Sequence, residues 1–318
     1  MMQRLLPFLS LVVLFVALAM ASPHFLTETN LSSVVRQTAV INIIALGMTL
    51  VIISGGIDLA VGSVLALVAV CCAQMAIHWN WSAWLVAPAC LIVGGCCGGV
   101  SGLVTARLGV QPFIATLSMM VLARGLAKYA SGGMKVSTAI MNADGTYHYV
   151  EVPRFFRLVD HRILGGNVSV VTLIFIACVS MAWVLMSKHV WGRYLYAIGG
   201  NEEASRLSGV PVVAAKTLAY VASGMFAGVA GMCQAAQEQQ GDPEAGVGYE
   251  LMAIAMVVIG GTSLMGGRGG IGLTLLGVLT IGYLDKILSI NAVPEAGRLV
   301  LTGVIIVAAV LAQRRKRT

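Results

Sequence analysis

Charge is scarce in this sequence. Of its 318 residues only 20 are Lys or Arg and 13 are Asp or Glu, 10% in all, where a soluble globular domain carries roughly 25%. That scarcity excludes a soluble enzyme, and it excludes disordered and coiled-coil chains, which both depend on charge. No Gly-X-Y period is present, so the chain is not collagenous. No Gly-Lys dipeptide occurs anywhere, so the chain carries no Walker A loop and must draw any ATP energy from elsewhere. G-x-S-x-G, H-E-x-x-H, C-x-x-C and Cys/His zinc spacings are missing too, which removes the commonest hydrolase, zincin and metal signatures. The expectation is a chain with no catalytic residues, no metal and no cofactor of its own.

What is abundant is apolar surface. Hydrophobic residues make up 58% of the chain, with 37 Gly besides, enough for roughly ten spans of about 20 residues each. The apolar runs predict spans at about 5–21, 39–54, 59–77, 84–106, 112–130, 168–187, 215–235, 250–267, 270–290 and 297–312. The fold expected is all-α, one polytopic membrane domain over residues 1–318. Arg4 and Ala19-Met20-Ala21 also resemble a secretory signal with its cleavage site, but nine later spans commit the chain to the membrane and favour a retained first span. All seven cysteines lie in apolar stretches and read as small packing residues.

Ten spans place both termini on one side, and the terminal run Arg314, Arg315, Lys316, Arg317 assigns that side to the cytoplasm, facing anionic lipid rather than nucleic acid. Eleven basic residues against three acids then fall inside, with nine basic and ten acidic residues outside. Two connections are long. The outer one, about 131–167, is polar enough to fold over the membrane surface; its His148 and His161 read as solvated. The inner one, about 188–214, holds Asn201-Glu202-Glu203-Ala204-Ser205-Arg206-Leu207-Ser208-Gly209. Asn caps free N–H groups, acids suit the positive helix start, Arg the negative end, and Gly the left-handed stop. The pattern predicts a short rigid finger bounded by turns at Gly199-Gly200 and Gly209; the alternative is an ordinary interhelical connection.

Two glycine-rich breaks interrupt the apolar runs. Gly55-Gly56 ends one helix and Asp58 is placed to cap the next, an acid costing on the order of 2.5–3.5 kcal/mol at the bilayer centre and so expected at an interface or protein-lined cavity. Cap and ligand contact are both open for it. Gly260-Gly261 marks the second break, which continues to Gly266-Gly267-Arg268. A shift of 206 residues aligns Val51–Gly55 with Val257–Gly261, as an internal duplication would. Phe113, Thr116 and Arg124 mark the fifth span as a candidate pathway helix, with Lys128 one turn beyond Arg124. Arg124 can grip hydroxyls with its fork or serve as an interfacial anchor.

Four ordered stretches carry a family resemblance: Gly47 to Ser63; Pro112 to Leu117 with Arg124-Gly125; Gly192-Arg193-Tyr194-Leu195-Tyr196-Ala197-Ile198-Gly199-Gly200-Asn201-Glu202; and Val258 to Leu264. With them the chain resembles the permeases of ribose-type ABC sugar importers, in the wider group that includes branched-chain amino-acid permeases. Ala60 departs from the Ser usual there, and the 131–167 loop matches poorly. The resemblance implies a permease dimer, homo- or hetero-, a cytoplasmic ABC ATPase and an outer, periplasmic sugar-binding protein, in a bacterial inner membrane. It makes the finger at 201–208, with Gly192, Arg193 and the flanking Gly199, Gly200 and Gly209, the coupling element that docks on the ATPase. Branched-chain amino acids, nucleosides and autoinducer-2 are alternative cargoes. An ion-coupled transporter would need more ionisable residues inside its spans.

Overall fold

A computed structural model describes residues 27–307, apart from 142–143, 145, 167, 291–292, 295, 299, 302 and 305–306. The expected first span at 5–21 lies outside the described residues, and the last, 297–312, lies mostly outside them.

The described chain is helical, as its composition requires. In order come α1 (Glu28–Ile53), α2 (Val61–Ala73, prolonged by a π-turn at Gln74–His78), α3 (Ala83–Ala106) and α4 (Pro112–Ser131). Then follow the short α5 (Arg154–Val159), α6 (Val170–Ser187), α7 (Val190–Gly200), α8 (Glu202–Leu207), α9 (Val212–Glu238), α10 (Tyr249–Ile259) and α11 (Ile271–Ile290). Among the described residues six helices are long and apolar enough to cross a membrane: α1, α2, α3, α4, α6 and α9. The fold is an all-α polytopic membrane protein.

α1, α2 and α9 form the centre, with Ile43, Leu50, Leu65, Tyr220 and Ala227 fully buried. α3, α4 and α6 keep one face outward, exposing Ile92, Val121 and Ile176 among others. Small residues let α3 and α9 approach backbone to backbone: a Cβ on Gly94 or Gly98 would overlap the carbonyl of Gly224 or Tyr220. This is the packing that works in lipid, where van der Waals contact replaces the hydrophobic drive between helices.

Several expected boundaries move, each for a physical reason. The span expected at 39–54 begins at Glu28, because Arg36 ion-pairs with Asp160 of the long loop and so tolerates a place in the helix. The 131–167 loop does not merely lie on the surface. It contains the two-stranded ribbons β2–β3 (Ala139–Met141, Tyr147–Tyr149) and β4–β5 (Arg162–Ile163, Val168–Ser169), and α5 buries Phe155, Phe156 and Val159 in the bundle. The inner connection expected at 188–214 is largely helical, since α7 and α8 occupy most of it. The span expected over 250–267 is an 11-residue helix ending at Ile259, followed by a glycine-rich turn.

The two aligned breaks stop their helices identically. Gly55 N–H donates to Ile52 O (2.9 Å) and Gly56 N–H to Val51 O (3.0 Å); Gly261 N–H donates to Val258 O (2.9 Å) and Thr262 N–H to Val257 O (3.1 Å). Both are Schellman stops, with Gly55 (φ +82°) and Gly261 (φ +108°) in the left-handed region where a Cβ is costly.

Candidate functional site

The finger is built as its residues dictate. Asn201 Oδ1 accepts from Ala204 N–H at 2.9 Å, Glu202 and Glu203 occupy the first turn, and Arg206 the last. Gly209 (φ +81°) closes α8 as Val210 N–H returns to Ser205 O at 3.0 Å. Glu202 has a structural partner that sequence reasoning missed: Lys216 of α9, 2.9 Å away with its side chain only 11% exposed. Arg206 also leans back on Glu202, at 3.3 Å. The remaining surface is free to meet another body: Glu203, Ala204, Leu207 and, on α7, Arg193 are exposed. Leu207, at 81% exposure, is an apolar side chain left largely uncovered by the described residues.

Behind the finger, three backbones converge. Gly267 N–H donates to Ile53 O, the end of α1, at 2.9 Å. A Cβ on Gly199 would overlap that same Ile53 carbonyl and crowd Gly267 N, and Gly266 lies against both Gly199 and Gly55. Gly199 and Gly200 are therefore not turn residues as expected; they are the last helical residues of α7, and Gly199 serves close approach. Tyr196 Oη donates to Gly269 O at 3.0 Å, pinning the α10–α11 turn to the same place, and burial pushes its phenol above the ordinary value. Gly192 packs against the end of α6, at the Met186 carbonyl. The helix stops at Gly55 and Gly261 thus belong to two segments that meet the finger's base, whereas Gly260 serves a helix contact, facing the Leu273 carbonyl of α11.

The family described as branched-chain amino acid transport system / permease component matches residues 30–310. The chain belongs to this permease family. It is 39% identical over 310 residues, 97% of this chain and 93% of the relative, to the ribose import permease protein RbsC of Escherichia coli. It is 38% identical over 320 residues, 99% and 94%, to RbsC of Bacillus subtilis, and 35% identical over 305 residues, 96% and 88%, to the L-arabinose transport system permease protein AraH of Escherichia coli. No solved structure matches. The expected resemblance to ribose-type permeases is thereby shown.

The remaining marked residues of this permease fall into two groups. Asp58 is buried, and its carboxylate accepts from Ala60 N–H at 3.0 Å and from Ser223 Oγ at 2.8 Å. It holds the backbone one residue ahead of α2 and ties it to α9. A Cβ on Gly56 beside it would strike the Tyr220 hydroxyl. Ser223 and Tyr220 carried no sequence signal, because one serine and one tyrosine in a small-residue helix read as packing. Asp58→Ala leaves a buried N–H and a buried hydroxyl without their acceptor, at about 1–3 kcal/mol each. We expect its detergent-solubilised form to unfold several degrees lower. Asp58→Asn keeps an acceptor for Ala60 and should transport nearly normally; a transport-null but stable Asp58→Asn would show that the charge itself is needed.

The second group lies on α4. Thr116 is fully buried, its hydroxyl donating to Pro112 O (2.9 Å) and lying 3.3 Å from Ile57 O, so it packs inward rather than facing an open path. Phe113 is exposed. Arg124 Nη1 donates to the carbonyls of Pro243 and Ala245, the latter at 2.9 Å. Its partner is the connection between α9 and α10, a segment in which the sequence marked no residue.

Proposed function

We propose that this chain is the membrane-spanning subunit of an ATP-driven sugar importer, with pentoses such as ribose and arabinose the first cargoes to test. The observation that carries the reading is near-full-length likeness to the ribose and arabinose permeases. A separate cytoplasmic ATPase docks on the face of α8 that Glu203, Ala204 and Leu207 present, and its stroke passes into α1 and the α10–α11 turn through the glycine contacts. A second permease copy or paralogue completes the pathway, and a periplasmic binding protein delivers the sugar to the end bearing the 131–167 loop. Both termini then face the cytoplasm of a bacterial inner membrane.

The test is uptake of labelled ribose, arabinose and leucine by cells with and without the chain, together with co-purification of an ATPase. Sugar uptake that ATP depletion stops and protonophores spare is the expected result. Leucine uptake alone would move the cargo to amino acids. Protonophore-sensitive uptake without an associated ATPase would replace the importer with an ion-coupled transporter.

A further inference from the structure

The connection between α9 and α10 does not stay at the end of the bundle. Gly241 lies against Ala69, Val70 and Ala73 of α2, and Gly246 against Gly62 and Leu65. The chain therefore descends alongside α2 by seven or so residues, roughly 10 Å at 1.5 Å per residue, and α10 starts only there. Non-helical backbone at such depth is tolerated where protein covers it or where it lines a water-filled path. Here the free carbonyls of Pro243 and Ala245 are taken by Arg124, at which the carboxylates of Glu244, Glu250 and Asp242 also act.

Among the described residues, the polar fastenings of the segment come from the side opposite its α2 packing, from α4 and the residues that follow it. Besides Arg124 they are Lys128–Glu244 at 2.6 Å, Lys135–Asp242 at 2.9 Å, and the two-residue pairing of β1 (Val136–Ser137) with β6 (Gln240–Gly241). Partial burial pushes the Asp242 carboxyl up, but the Lys135 ammonium and the Glu244 N–H hold it below the usual carboxylate range on balance. Lys128, Glu244 and Lys135 are half-exposed while Asp242 is largely buried, and ion pairs open to solvent on at least one side contribute little each. Gly246 and Gly248 have positive φ at the lower end of the segment, and Gln239 (φ +54°) has it just before the upper end. A short non-helical segment with left-handed residues next to each end and exposed ion pairs on one side has the properties of a two-state element.

We propose that residues 241–248 form the outward barrier of the sugar path, and that Arg124 is the positioning residue that seats it. The proposal rests on the importer reading for which end is outward. Sugar entry then requires β6 to part from β1 and the two lysine pairs to open, while Arg124 returns the segment to its seat afterwards.

Ser137 and Gln240 face each other across β1–β6, at a spacing that a disulfide can bridge. Reduced Ser137→Cys/Gln240→Cys should take up sugar as the parent does. Oxidation with copper phenanthroline should lower uptake about tenfold or more, and dithiothreitol should restore it, with the single variants unaffected as the control for native cysteines. Full uptake with the cross-link demonstrated by peptide mapping overturns the barrier.

A second measurement needs no transport. Ala245→Cys in an Arg124→Gln background should react with a membrane-impermeant maleimide about tenfold faster than with Arg124 intact, as expected for losing charged hydrogen bonds. Unchanged labelling overturns the seating role. A parent that moves no sugar at all would strike the importer reading instead, and the labelling would still judge the segment.

Discussion

Leu207→Asp is expected to cut sugar uptake and transport-linked ATP hydrolysis by about 30-fold or more while leaving the chain inserted at normal levels. The side chain is 81% exposed on a helix whose shape does not depend on it: Asn201 caps one end, Gly209 closes the other, and Lys216 holds Glu202 from behind. Its removal therefore costs folding little. At a docking face the same side chain is an apolar anchor, and losing such an anchor costs about 2 kcal/mol or more, near 30-fold in affinity. A carboxylate forced into the vacated pocket adds its own desolvation cost. Glu203→Arg, which inverts the exposed charge beside it, should act in the same direction. Leu207→Met is the control, since it keeps an apolar side chain of similar volume. Immunoblots of membranes establish insertion, and uptake by Leu207→Asp within twofold of wild type would remove α8 from the ATPase interface.

How far the sequence could be read depended on the range of each interaction. The finger was legible because every signal for it is local: Asn201, the acids of the first turn, Arg206 and Gly209 lie within nine residues, and each states its role in the helix. The paired stops at Gly55 and Gly261 were legible for the same reason. What holds the finger in place was not, because Lys216 is 14 residues from Glu202 and Gly199 meets Ile53 of α1 and Gly267 of the α10–α11 turn. A glycine pair before a helix cap looks the same whether it turns or merely approaches. The span expected over 250–267 was misread because glycine counts as apolar in any run, yet Gly261 adopts positive φ and stops the helix, and Gly266, Gly267 and Gly269 with positive φ keep the chain beyond it in a turn. Asp242-Pro243-Glu244 reads as a surface turn. Only the contacts of Gly241 and Gly246 with α2 reveal its depth.

Gly199→Ala should abolish uptake while Gly200→Ala, one residue on, leaves it intact. Both glycines are the last helical residues of α7, so any effect of helix propensity is shared and favours alanine by up to about 1 kcal/mol. They differ in what a Cβ meets. At Gly200 nothing lies within 4 Å. At Gly199 the new carbon overlaps the Ile53 carbonyl and crowds the N–H of Gly267, the two ends of the 2.9 Å bond that joins α1 to the α10–α11 turn. Neither is the tip of a flexible side chain that can swing away, so the backbones must part, at roughly 1–3 kcal/mol for overpacking of this kind. α7 then backs away from α1, and α8, which starts after the single residue Asn201, moves with it. If the three-backbone contact carries the ATPase stroke into the membrane, Gly199→Ala should still bind the ATPase but show no sugar-stimulated ATP hydrolysis, a loss distinct from the docking failure of Leu207→Asp. Equal uptake by Gly199→Ala and Gly200→Ala would mean that the contact only packs the fold and that coupling reaches the spans by another route.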